Sequence, residues 1–194
     1  MNEIVNLIVM KNIYLYIVLL LVVISCNEEE NIIQEPFFSY LKTPNSTIDT
    51  IEKAASVWEY GFKFIPVKGG YLKALGVKLP TVGAYKVKLY NITTNVVILD
   101  TMIQAPFINS ESFIDVAPIP LNGNIEYGVA LVADVFFKVR QNSNLEFIFP
   151  QEIGSIKVIG FFEEKCGNNG CLSFPVVANN LVIAPCVSFK FHSN

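Results

Sequence analysis

The chain has 194 residues, 52% of them hydrophobic and 16% charged, which is enough apolar material for a packed core and far from a disordered composition. Fourteen basic against seventeen acidic residues leave a net charge of −3, with no basic stripe to collect phosphates, so nucleic acid is not an expected partner. Once targeting segments are set aside, the remaining length fits one domain.

In chain order, the first feature is an uninterrupted apolar run at residues 13–24, "IYLYIVLLLVVI". It falls short of the roughly 20 residues that a membrane-spanning helix needs. Lys11 stands just before it, and the stretch "MKNIYLYIVLLLVVISC" from Met10 is a complete secretory signal by itself, which points to Met10 as the start codon. At the end of the run, "VISC" (residues 23–26) resembles the bacterial lipobox. That resemblance implies cleavage after residue 25 and a lipid on the sulfur of Cys26. Several acyl chains, at about 0.8 kcal/mol per buried methylene, make a stable anchor.

Glu28, Glu29 and Glu30 follow at once. An acidic cluster there resembles the surface-export signal of Bacteroidota lipoproteins, which implies display on the outer leaflet of the outer membrane. The alternative is a solvated tether on a lipoprotein that stays at the periplasmic face. Residues 1–25 are thus expected to be signal peptide and residues 26–36 a polar tether ending in Glu35 and Pro36.

From residue 37 to the end the pattern is that of an all-β domain, with a period of two broken by turn residues. "VWEYGFKF" sets Trp58, Tyr60, Phe62 and Phe64 on one face and Glu59, Gly61 and Lys63 on the other. "YLKALGVKL" and "AYKVKLY" alternate in the same way, the latter opposing Tyr85, Val87 and Leu89 to Lys86 and Lys88. "NVVILDTMI" is apolar on both faces, as expected of a central or sandwich-core strand. "SFIDV", "IEYGVALVA", "VFFKV", "SIKVIGFF" and "PCVSFKF" follow. Turn chemistry separates them at residues 68–70, 80–83, 91–95, 118–123 and 142–144. The only window with a weak helical character is residues 47–56. About nine or ten strands at this spacing predict an antiparallel β-sandwich, jelly-roll or immunoglobulin-like.

The order "YGFKFIPVKGGYLKALGVKL", "YKVKLYNITTNVVILDTMI" and "SFIDVAPIPLNGNIEYGVALVADVFFKV" resembles a family of bacterial extracellular β-sandwich domains of unknown function. Members occur on cell-surface proteins and beside carbohydrate-active modules. The resemblance covers less than half of the chain and implies a fold rather than an activity.

Catalytic chemistry is not expected. Triad hydrolysis needs a histidine between nucleophile and orienting group, and the one histidine, His192, is near the C-terminus. Glycoside hydrolysis needs two facing carboxylates, and Asp100, Asp115, Asp134, Glu126, Glu146 and Glu152 form no motif. Asp115 and Glu126 are expected to face solvent. No cofactor is expected.

"CGNNGC" places Cys166 and Cys171 at the ends of a Gly/Asn turn, close enough for a disulfide. Two alternatives stay open: free core cysteines, or a zinc set completed by Cys186 and His192 through C-x4-C-x14-C-x5-H. The tripeptides Asp49-Thr50-Ile51 and Asp100-Thr101-Met102 resemble the O-glycosylation motif of Bacteroidota envelope proteins. That resemblance implies modification at Thr50, whereas Thr101 is expected to be a strand residue. Tyr90 and Phe107 are the expected exposed aromatics at loop edges.

The expectation is therefore a lipid-anchored binding or adhesion module at the cell surface, with a glycan as one class of ligand. The alternative is a structural or accessory subunit of an envelope, fimbrial or uptake complex. An exposed edge strand used for pairing would mark that second case.

Overall fold

A computed structural model describes residues 33–51 and 53–194. The lipobox, Cys26 and the glutamates at 28–30 lie outside the described residues. Residues 32–194 make one compact unit, and among the described residues no helix is long and apolar enough to cross a membrane.

Among the described residues thirteen strands follow in chain order. The first is β1 (Ile33–Gln34), then a 3-10 turn (Phe38–Lys42), β2 (Ser46–Ile51), β3 (Trp58–Pro66) and β4 (Gly70–Lys78). Next come β5 (Gly83–Asn91), β6 (Val96–Ala105), β7 (Glu111–Leu121), β8 (Tyr127–Ala133) and β9 (Phe136–Gln141). The chain ends with β10 (Gln151–Ile153), β11 (Ile156–Lys165), β12 (Val177–Ala178) and β13 (Val187–Ser193).

They form an antiparallel β-sandwich. One sheet has the order β1-β13-β4-β7; the other runs β10-β11-β3-β8-β5-β6, with β12 beside β11; β2 and β9 make a separate ribbon. The alternation in β3 sends Tyr60, Phe62 and Phe64 into the core, where Phe64 meets Phe189 of the facing sheet with ring centroids 4.6 Å apart. Phe37 closes the core from the N-terminal side, its ring stacked on Phe62 at 4.4 Å.

Several expectations need correction. The strand count is thirteen rather than nine or ten, because β1, β2, β10 and β12 are short or lack strong alternation. Residues 26–36 are not tether throughout: Ile33 and Gln34 pair with His192 and Phe191, so the fold begins before residue 37. Residues 47–51 belong to strand β2, where the β-branched residues Thr47, Ile48, Thr50 and Ile51 suit a pleated ribbon against β9. Residues 118–121 are strand and not turn; Pro118 and Pro120 are accommodated because β7 is an edge.

The largest exchange concerns β6 and β8. β6 is an edge strand, and β8 is the central one, with all seven residues buried. β6 reads as apolar on both faces, and only non-local pairing decides that β8 takes the central place.

Candidate functional site

The outer face of the larger sheet carries a polar cluster that is closed from solvent. Glu59 on β3 and Lys88 on β5 flank β8: Glu59 pairs in register with Val132, and Lys88 with Ala130. Lys88 Nζ donates to Glu59 Oε2 at 3.0 Å and to the carbonyl of Cys171 at 2.9 Å. The Cys171 backbone N–H donates to the same carboxylate oxygen at 2.6 Å, and the Tyr90 hydroxyl donates to Glu59 Oε1. Glu59 is fully buried and Lys88 nearly so. Burial, and then the bond to Glu59, hold the Tyr90 phenol well above its ordinary pKa, so it stays a donor.

The cover over this cluster is the segment after β11. Cys166 and Cys171 are joined as a disulfide with Cα atoms 5.3 Å apart. The turn between them is held by the Gly170 N–H on the Gly167 carbonyl at 2.8 Å. Gly170 has φ +81, and a Cβ there would run into Glu59 and Lys88, so glycine is required twice over. Phe174 continues the cover, packing edge-on against Tyr90 and Phe162 and lying on Gly128. Lys63 sits 4.5 Å above the Phe162 ring. This is a second, smaller apolar cluster on the back of the sheet.

The cysteine turn is near neither Cys186 nor His192; the ligand-type atoms gathered with its two sulfurs, all within 4.8 Å, come from Glu59. Cys186 is fully buried, its sulfur accepting the Phe137 N–H at 3.2 Å, while His192 is paired with Ile33 and Tyr71. The zinc set C-x4-C-x14-C-x5-H is therefore not assembled. Burial pushes the Cys186 thiol up to about 12. It is expected to resist iodoacetamide in the folded protein and to react only after denaturation; alkylation of Cys186 under native conditions would contradict its burial.

Thr50 is exposed on β2, opposite Phe137; Thr101 is half-buried in β6. Asp115 is exposed, and Glu126 is half-buried 3.7 Å from Lys63. Phe107 is exposed at 69%, but Tyr90 is not a loop-edge aromatic: it is buried under Phe174. The reason is the cover, which turns the expected solvent face of β5 into an interior.

Among the described residues, the edge of β6 is one surface open to a partner. β6 is hydrogen-bonded to β5 only, and among the described residues nothing pairs with its other edge. It is ten residues long, has Asp100 as its one charge, holds no proline, and exposes Val96, Val97, Ile98 and Met102. Of the usual guards of an edge, lysine, proline and shortness are missing, while a register shift opposite Leu89 and Tyr90 leaves Ile98 as an extra residue on β6. There are also two shallow clefts. One, of about 480 Å³, is lined by Thr43, Asn45, Gln141 and Asn142 among others; another, of about 270 Å³, lies between Ile65, Asn124, Glu152 and Lys157. Neither is lined by an aromatic ring on which a sugar could stack.

No known protein family model matches the chain, and none of the curated proteins matches it.

Proposed function

We propose that the chain is a lipid-anchored outer-membrane protein, displayed at the cell surface, whose sandwich is a non-catalytic module that binds a protein partner by strand addition along β6. The observation that carries this reading is the long apolar edge of β6, which has neither lysine nor proline. A row of unpaired backbone N–H and C=O groups offers affinity, and the alternating exposed side chains offer specificity to an extended segment laid against it. The same geometry supports an accessory role in an envelope assembly. The lipid at Cys26, export by Glu28, Glu29 and Glu30, and modification at Thr50 belong to this reading through their sequence resemblances.

The test places a photo-crosslinking residue at Ile98 in the native envelope. A discrete protein adduct is expected, absent when the probe sits at Lys157 and lost when Val97→Lys and Met102→Lys guard the edge. Both substituted positions are exposed, so the fold is expected to survive. Absence of any adduct at Ile98 would remove the strand-addition reading.

A glycan ligand is the second reading, favoured by Phe107. This ring stands with Ile108 and Val82 on two loops joined by the Asn109 N–H to Leu79 carbonyl bond of 2.8 Å. The loops lie at the end of the sandwich away from Ile33: β7 and β4 pair Glu111 with Lys78 there, and Leu121 with Gly70 at the end near β1. Saturable binding of the purified protein to a polysaccharide, lost in Phe107→Ala, would establish it.

A further inference from the structure

We propose that Cys166, Cys171 and Glu59, once the disulfide is reduced, form a binding site for a thiophilic divalent cation such as Zn²⁺ or Cd²⁺. The two sulfurs and a Glu59 carboxylate oxygen already lie within 4.8 Å of one another. Ligand atoms on a tetrahedral zinc stand roughly 3.5 to 4 Å apart, so a small closure completes three of four positions and leaves the fourth to water. The C-x4-C spacing falls in the range that chelates zinc through one turn.

The site is held together by bonds other than the S–S bond. The Cys166 N–H donates to the Val57 carbonyl at 3.1 Å, and the Gly170 N–H to Gly167 at 2.8 Å. Cys171 is tied through its N–H to Glu59 and through its carbonyl to Lys88. Both thiols therefore stay over Glu59 after reduction. Charge also suits a dication: with Lys88 at 3.0 Å from the carboxylate, the metal balances two thiolates and Glu59. Two soft sulfurs and one carboxylate prefer zinc-group ions over Mg²⁺ or Ca²⁺.

The chemistry balances in two steps. A dithiol reductant transfers two electrons and two protons to the disulfide, giving two thiols and its own cyclic disulfide. The cation then displaces the two thiol protons and forms two metal–sulfur bonds. The same cysteine pair is thus a covalent staple in an oxidising medium and a metal ligand pair in a reducing one.

The test uses protein carrying Cys186→Ser, which keeps an acceptor for the Phe137 N–H. It is reduced with a dithiol, freed of reductant without oxygen, and titrated with Cd²⁺. A thiolate-to-cadmium ultraviolet band saturating at one metal per chain is expected, absent from the oxidised protein and from the Cys166→Ser/Cys171→Ser variant. The Glu59→Gln/Lys88→Met pair removes the carboxylate without changing the net charge, and it is expected to weaken binding by about tenfold or more. The circular dichroism of the sheets should persist throughout. No band in the reduced protein, affinity unchanged in Glu59→Gln/Lys88→Met, or loss of the β-sheet signal on reduction would each overturn the proposal.

Discussion

Glu59→Gln is expected to lower the free energy of unfolding by about 3–5 kcal/mol, the cost of leaving a buried charge without its partner. Lys88 is 4% exposed and has two acceptors, Glu59 Oε2 and the Cys171 carbonyl. A neutral amide cannot balance the ammonium, and it disturbs the Tyr90 hydroxyl and the Cys171 N–H, which both rest on the same carboxylate. Replacing both charges, as in Glu59→Gln/Lys88→Met, should recover most of the loss, because a buried pair is often no more stabilising than apolar groups of similar size. Urea midpoints at neutral pH for the two variants measure this directly. A single-variant loss below about 1 kcal/mol, the range of a surface pair, would mean that water reaches the cluster.

The ion pair also shows where sequence reading stops. Its residues were visible: Glu59 opposes the aromatic face of β3, and Lys88 opposes the apolar face of β5. A charged residue at an alternating position normally faces water, and on a two-layer sandwich that is the economical inference. What reverses it is a cover from far along the chain, the Cys166–Cys171 turn and Phe174, whose docking depends on tertiary geometry. Two small residues hinted at it. Gly128 and Ala130 leave the back of β8 flat, which is poor strand chemistry unless something lies on it, and Phe174 does.

The inward faces were legible for a different reason. Tyr60, Phe62 and Phe64, or Val87 and Leu89, are buried wherever their strands fall in the sheet order, so period two suffices to place them. Sheet order itself is not local. "VVILDTMI" and "YGVALVA" have the same apolar character, yet one became the edge β6 and the other the centre β8. β1 was invisible for the same reason: two residues gain strand geometry only from His192 and Phe191 at the far end of the chain.

Phe62→Ala is expected to cost about 3–5 kcal/mol, the range for emptying a buried aromatic site. Phe62 is fully buried, stacked on Phe37 at 4.4 Å, parallel to Tyr40 at 5.6 Å and edge-on to Phe161 at 5.4 Å. Two of these three partners belong to the segment that carries the chain from β1 across the core in the 3-10 turn Phe38–Lys42. That turn has no side-chain cap at its N-terminus and only a few local bonds, such as the Tyr40 N–H to Phe37 carbonyl at 3.1 Å, so it leans on packing against Phe62 as well. The loss should therefore be spatially uneven. Besides a lower denaturation midpoint, Phe62→Ala should expose residues 37–44 to proteases and to hydrogen exchange ahead of β3 and β8, which keep their ladders on both sides. Uniform deprotection of the whole domain would instead mean that the N-terminal segment is held by β1 alone. Phe62→Leu refills part of the volume but cannot stack, so it separates the two contributions: stability should return further than protection of the segment does.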